Sequence, residues 1–277
     1  MKNVMRKNRI TIKMLFYGSE NSLNDFFKEN CICRTINKFD KATLCNCISL
    51  SKSYVVGNLG DAINHAINPI WRIRDQFLLL LGKYNIRFKI YITSYDFDSS
   101  TELYIENEVL YKILLFHVDL FFSFNKFDIE QEKLQKDFPL KEERTKIIID
   151  LGIHSDKKSF SPDDCTLQTG IIPDNVRRYG EPNSAGKIMP FAEWGIQEKK
   201  QSRSFNSIIN DIMLRIEKKQ NNLAAYTSKN QCDLMLNITI ELGDDAPQFF
   251  ILSAQNISKI AGLKCDIGFD FYDYRKR

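Results

Sequence analysis

The residues best placed to do chemistry are an arginine pair and its neighbours: Pro173, Arg177, Arg178, Gly180 and Glu181, with Trp194 a short way downstream. Two adjacent guanidinium groups can grip a carboxylate or a phosphate through forked donors, and loops on a rigid scaffold often carry binding. The same residues have a structural reading. Pro173 and Gly180 would shape turns, one arginine would pair with Glu181, and Trp194 would anchor the loop to the core.

Other constellations are weaker. Cys31-x-Cys33 and Cys45-x-Cys47 could offer four thiolates to zinc, but structural zinc usually leaves two or more residues between paired cysteines. On a strand spanning Thr43 to Ser49, Cys45 and Cys47 would instead share one face. His65, His117 and His154 fall in no HExxH, no His–Cys pair and no recognisable triad, and His154 reads as a turn residue after a strand that ends at Gly152. Gly180 and Gly186 lack the strand-to-helix context of a dinucleotide loop. The acidic turns Asp96–Ser100 and Gly243–Pro247 have hairpin composition rather than that of a metal site. Catalytic residues, metals and cofactors are therefore expected to be none.

The elements that must hold these residues come in two copies. Leu103–Ile105, Glu106–Phe116 and Asp119–Phe124 read as strand, helix and closing strand. Shifted by 147 positions, Phe250–Leu252, Ser253–Leu263 and Asp266–Phe271 repeat them. Leu110, Ile113 and Leu114 fall on Ile257, Ile260 and Ala261, the helical face turned to a core, and Lys112 falls on Lys259 off that face. Leu120, Phe122 and Phe124 match Ile267, Phe269 and Phe271 with strand periodicity, which favours core packing over base stacking; Tyr272 and Tyr274 would face the other way.

Upstream lie alternating strands at Phe88–Ile92 and Leu234–Ile240, preceded by long helices. The first helix, with Ile63, Ile67, Ile70, Ile73, Phe77 and Leu80, has Asp61 as candidate N-cap and a predicted kink or restart at Pro69; Ser204 would cap the second. Each copy opens on a strand, Ile12–Tyr17 or Lys146–Leu151, ending at Gly18 or Gly152. The expected fold class is α+β: two β-α-β-α-β-β-α-β units, each a largely antiparallel sheet packed against helices. The units would span 1–128 and 145–277, joined by a charged linker at 129–144, as a pseudo-twofold intramolecular pseudo-dimer.

The second copy resembles the bacterial domain of unknown function 4279 family. The resemblance rests on Ser161-Pro162-Asp163-Asp164, Gly170-Ile171-Ile172-Pro173-Asp174, Val176 to Glu181 and Trp194-Gly195-Ile196, and extends through the long helix to Asp266–Tyr272. The first copy fits the helix and strand pattern from Gly60 to Phe124 but lacks the Pro-Asp-x-Val-x-Arg segment and the tryptophan. The resemblance implies a scaffold and no activity; if the fingerprint marks a working site, the second copy holds it.

Composition sets the remaining bounds. With 43% apolar and 27% charged residues over 277 positions, the chain has the make-up of a globular protein. Its longest apolar stretch, Phe77–Leu81, is far too short to span a membrane, and the basic N-terminus lacks a signal-peptide core. Seven cysteines in apolar surroundings suggest reduced thiols and a cytoplasmic location. Residues 1–141 carry 20 basic against 16 acidic side chains, including Lys2, Arg6, Lys7 and Arg9, while the remainder is balanced; nucleic acid is an unlikely partner on that evidence. The expected function is a non-catalytic intracellular binding protein, in particular an immunity protein that neutralises a toxin by direct protein-protein contact. The alternative is an enzyme or small-ligand sensor that binds an anionic metabolite at Arg177 and Arg178.

Overall fold

The computed structural model describes residues 8–36, 39–44, 46–56, 58–95, 103–125, 144–183 and 185–273. The Asp96–Ser100 turn, most of the 129–144 linker, Lys2, Arg6, Lys7, Cys45 and Tyr274 lie outside them. The first part of the chain forms β1 (Asn8–Tyr17), α1 (Glu20–Lys28), α2 (Asn30–Ile36), β2 (Asp40–Leu44), β3 (Cys47–Val56) and α3 (Leu59–Trp71). It continues with α4 (Arg74–Lys83), β4 (Arg87–Tyr95), β5 (Leu103–Ile105), α5 (Asn107–Leu114) and β6 (Leu120–Asn125). There follow β7 (Lys146–Ser155), α6 (Pro162–Thr169), β8 (Asn175–Arg177), β9 (Ala192–Gln201) and α7 (Phe205–Ile216). Last come α8 (Gln220–Asn230), β10 (Leu234–Leu242), β11 (Phe250–Leu252), α9 (Ala254–Gly262) and β12 (Asp266–Asp273).

The fold is α+β, with two six-stranded, largely antiparallel mixed sheets and helices packed on them. The chain divides into two compact units, Met1–Leu140 with Pro247–Ala254, and Lys141–Ala246 with Gln255–Arg277. The sheet of the first unit runs β11-β6-β4-β1-β3-β2, with β4 and β6 parallel. In β1 the alternate residues Ile10, Ile12, Met14 and Phe16 are buried, because a strand turns every second side chain to one face. Phe16 packs against Phe26 and Phe27 of α1 at 5.7 and 5.1 Å, Phe77 of α4 at 6.2 Å and Phe88 of β4 at 5.0 Å. Each fully buried side chain of this kind contributes roughly 1.5–3 kcal/mol.

The assignment of Pro247–Ala254 to the first unit follows from strand pairing. β11 lies antiparallel to β6, with Phe250 opposite Phe122 and Leu252 opposite Leu120. Phe249 meets the Tyr91 ring at 5.2 Å, and Asp119 accepts from the Ala254 amide at 2.8 Å. The sequence repeat groups this segment with the second half of the chain, whereas its hydrogen bonds tie it to the first.

Within the second unit the strands run β12-β10-β7-β9-β8, with β10 and β12 parallel and the other pairs antiparallel. Ile147, Ile149, Leu151 and Ile153 of β7 and Leu234, Leu236, Ile238 and Ile240 of β10 are buried on one face. Phe205, Ile208, Ile209, Ile212, Met213 and Ile216 of α7 are buried as well, at helical spacing. The repeat extends to a polar contact. Lys112 of α5 donates to Asn64 Oδ1 of α3 at 3.0 Å, and its counterpart Lys259 of α9 donates to Asn210 Oδ1 of α7 at 2.8 Å.

Several local expectations change. The first long helix is capped by Asn58, whose Oδ1 accepts from the Gly60 and Asp61 amides, so Asp61 sits in the first turn. The long helix is interrupted just after Pro69 and restarts, in keeping with the expectation, though the break falls in the following residues. α3 runs on to Trp71 and α4 begins at Arg74, because one missing amide is tolerable in a last turn where Arg72 N still reaches Asn68 O at 3.3 Å. Thr43–Ser49 is not one strand. β2 and β3 form a hairpin that reverses beside Asn46, whose φ of 54° suits asparagine. Each unit also has more elements than the eight expected: the long helices are split in two, and a short hairpin partner, β2 or β8, is added.

β7 does not end at Gly152 but runs through it to Ser155. A Cβ at Gly152 would lie 2.7 Å from Trp194 O and 3.2 Å from Gly195 Cα across the β7–β9 ladder, both of them backbone. Gly152→Ala should therefore destabilise the protein by about 1–3 kcal/mol. Gly82→Ala, in helix α4 with open space around it, should instead stabilise by about 0.5–1 kcal/mol. Urea denaturation of both variants checks the opposite signs.

Candidate functional site

The segment from Ser161 to Trp194 folds around α6. Ser161 caps the helix, its Oγ accepting from Asp164 N at 3.3 Å, and Pro162 stands at the first turn where a missing amide costs nothing. Asp163 and Asp164 complement the positive end of the helix dipole. Gly170 closes the helix at φ 68°, the left-handed conformation glycine adopts without strain. Thr166 donates to Pro162 O at 3.0 Å and accepts from Trp194 Nε1 at 3.0 Å. Trp194 is thus buried beneath α6 with its one polar atom satisfied.

The chain then crosses to the outer edge of the sheet. Pro173 precedes Asp174, whose carboxylate accepts from Gln197 N at 2.7 Å and faces Arg215 of α7 at 2.8 Å. Arg215 holds that carboxyl below the usual carboxylate range. β8 pairs with β9, Asn175 opposite Gly195, Val176 opposite Trp194 and Arg177 opposite Glu193. Gly180 has φ 79° and starts a small hairpin in which Gly180 N reaches Met189 O at 2.9 Å and Met189 N reaches Glu181 O at 3.1 Å.

The two arginines point to different carboxylates. Arg178 makes a forked contact with Asp163, Nε to Oδ2 at 2.7 Å and Nη2 to Oδ1 at 2.8 Å, and Nη1 reaches Glu181 at 3.2 Å. Glu181 also accepts from Arg178 N at 2.9 Å. The guanidinium holds Asp163 below its ordinary range, the Arg178 amide and then its guanidinium hold Glu181 below its own, and the two acids raise the pKa of the arginine. Arg177 lies 3.3 Å from Glu193 and over the Phe191 ring at 5.3 Å. His154 is not in a turn: it sits on β7, exposed, against the other aromatic contact of Phe191 at 4.4 Å and 3.5 Å from Glu193.

Pro173, Arg177 and Trp194 are therefore brought to one edge of the sheet, while Arg178, Gly180 and Glu181 form a neighbouring cluster closed onto α6. On the sheet face opposite the helices lies a cleft of about 730 Å³. Gly152 and Gly195 are among its lining, with Asp150, Asp174, Glu193, Gln197 and Asn237 around them. Gln197 donates to Asp150 at 2.7 Å. Burial raises the Asp150 carboxyl, and Asp174 and Glu193 push it the same way. Sequence reasoning missed Asp150, Arg215 and the cleft, and gave Asp174 only as a fingerprint position without a partner. The available signal was an acid inside the apolar run of β7, Ile147 to Leu151.

Among the described residues no three or more His, Cys, Asp or Glu side chains are gathered so as to hold a metal ion. Cys31 and Cys33 lie on helix α2 and Cys47 on β3. Asp245 of the second acidic turn accepts from Thr145 N at 2.6 Å, tying the turn to the start of β7.

The stretch from Thr145 to the end of β12 matches a protein-family model described as Domain of unknown function (DUF4279), over residues 145–274. Residues 145–274 form a DUF4279 domain. Every fingerprint position named above lies within this DUF4279 domain, in α6, β8, β9 and the loops that join them. No curated protein matches the chain. A crystal structure described as that of a "putative glycine cleavage system transcriptional repressor" is similar over 84% of this chain and 97% of its own, at 9% identity and a TM-score of 0.18. A likeness that loose establishes neither fold nor function. Among the described residues no helix is long and apolar enough to cross a membrane.

The raised Asp150 carboxyl has a measurable consequence for the DUF4279 domain. A carboxyl raised on folding binds its proton more tightly in the native state, so it removes stability as pH rises from the unfolded carboxylate range through its own folded pKa. Asp150→Asn should therefore raise the urea midpoint at pH 7, with the gain over wild type shrinking towards pH 3.5. A gain that is independent of pH would assign the effect to packing instead.

Proposed function

We propose that this protein is a non-catalytic binding protein that captures a protein partner along the outer edge of its second sheet. The observation that supports the reading is the surface of one short segment. Leu167 of α6 is 82% exposed, Ile172 80%, Val176 on the edge strand β8 43% and Ile188 68%, all within the fingerprint region of the chain. Exposed apolar side chains gathered with a polar rim mark interaction surfaces, and an edge strand is a ready template for an incoming strand. Asp163, Arg178 and Glu181 supply such a rim, paired among themselves.

The chemistry of the region favours contact over catalysis. Cys165 is buried and its thiol is pushed up to about 12, which keeps it from acting as a nucleophile. The second reading, an anionic metabolite held by Arg177 and Arg178, must displace carboxylates already facing both guanidinium groups. In the fuller form of the proposal the partner is a bacterial toxin and the protein a cytoplasmic immunity protein that neutralises it by direct contact. Such a role asks only for a complementary surface.

Co-expression with the product of the adjacent gene tests both levels. A stable complex and protection from killing are expected. Ile172→Glu combined with Ile188→Glu should lower partner affinity at least about tenfold while changing folding stability by no more than about 0.5 kcal/mol. Absence of any complex, or full binding by the double variant, would overturn the proposal.

A further inference from the structure

The first unit lacks the fingerprint but has a cleft of its own between β3 and α3, with a volume of about 430 Å³. That size suits a small metabolite. Lys52 and Tyr54 alternate on β3 and stand opposite Ile12 and Ile10 of β1, which puts both on the helix-packed face. His65, Asn68 and Arg72 follow one another along one side of α3 and its C-cap at spacings of three and four. β2 covers β3 as far as Ser51, opposite Asp40, so among the described residues no strand flanks the outer side of Lys52 and Tyr54.

Two features separate this cleft from the surface of the second unit. Among the described residues, neither Lys52 nor Arg72 is within ion-pair distance of a carboxylate, and none of the residues lining the cleft is acidic. In the second unit Arg177, Arg178 and Arg215 all face acids. Tyr54 is the other feature. It is only 9% exposed, and its hydroxyl is buried with no hydrogen-bond partner. An unmatched buried hydroxyl is a cost that an acceptor brought by a ligand would relieve. Burial pushes its pKa up to about 12, so it remains a donor at neutral pH. The ring is fixed as a wall, with the His65 ring stacked at 6.1 Å and 28° and Lys52 Nζ 5.6 Å from its centroid.

We propose that this cleft binds a small metabolite through an anionic group, carboxylate or phosphate, with Arg72 and Lys52 balancing its charge and the Tyr54 hydroxyl donating to it. A guanidinium fork, an ammonium point charge and a phenolic donor are complementary to either anion. The site is distinct from the protein-binding edge and does not depend on it.

Calorimetric titration and thermal shift of the full chain at low salt, with orthophosphate, succinate and adenosine monophosphate as separate probes, test the site. At least one probe should bind with a dissociation constant in the millimolar range or tighter and raise the melting temperature. Orthophosphate alone would name phosphate as the recognised group, succinate alone carboxylate, and preference for the nucleotide a phosphomonoester with its ring on the aromatic wall. Arg72→Ala and Lys52→Ala should each weaken binding about tenfold or more. Tyr54→Phe should weaken binding while leaving the melting temperature of the unliganded protein unchanged or higher. Arg178→Ala should bind like wild type. Failure of all three probes at millimolar concentration, or undiminished binding by the folded Arg72→Ala/Lys52→Ala double variant, would overturn the proposal.

Discussion

The second unit depends on how closely β7 and β9 approach each other at Gly152 and Gly195. With any side chain at Gly152 the added carbon would meet the backbone of Trp194 at 2.7 Å, so the strands can lie at this distance only because both positions are bare. That approach sets the register Gly152–Gly195, and the register sets everything beside it. One residue away, Trp194 is turned to the opposite face, beneath α6 and within reach of Thr166. Two residues away, Gln197 comes opposite Asp150 and Glu193 opposite His154. A slip by one position would exchange the buried and open faces of the whole strand.

The fingerprint of the DUF4279 domain translates into mechanical roles when its contacts are followed. Serine, proline and the two aspartates start α6, Gly170 ends it, and Asp163 then reaches across to Arg178, which also holds Glu181. Asp174 does the same towards Arg215 and Gln197. Charges that look like an anion grip in sequence are spent on one another, while Ile172, Val176 and Ile188 stand exposed in the same segment. The first unit shows the converse. It has no such fingerprint, yet its Lys52 and Arg72 meet no acid among the described residues and share a cleft with a buried tyrosine hydroxyl. Divergence of surface over a common scaffold has left different groups available in each unit.

The scaffold was legible because period and repetition are properties of the chain itself. Alternation in β4 and β10, where Ile90, Ile92, Leu234, Leu236, Ile238 and Ile240 lie inside, and the helical spacing of Phe205 to Ile216 correspond to faces that are in fact buried. The shift that matched Lys112 with Lys259 also matched a contact that could not be seen, since each lysine reaches an asparagine on the preceding long helix. Boundaries were harder. Asn58 displaced Asp61 as the cap because its side chain lies within reach of the first free amides, a matter of φ and ψ rather than of residue type. Glycine often marks the end of a strand, whereas Gly152 sits inside β7 and serves close strand contact.

What the sequence determined by itself was local: which segments are strands and helices, that the pattern occurs twice, and that the second occurrence carries a particular set of polar residues. These follow from side-chain periodicity and backbone preference, which act between near neighbours. The tertiary structure alone decided which arginine meets which acid, that Pro247–Ala254 packs with the first unit, and that Lys52, Tyr54 and Arg72 converge on one cleft. Pairing of charges and closing of a sheet edge depend on distances between residues far apart in the chain, and those distances exist only after the strands have found their register.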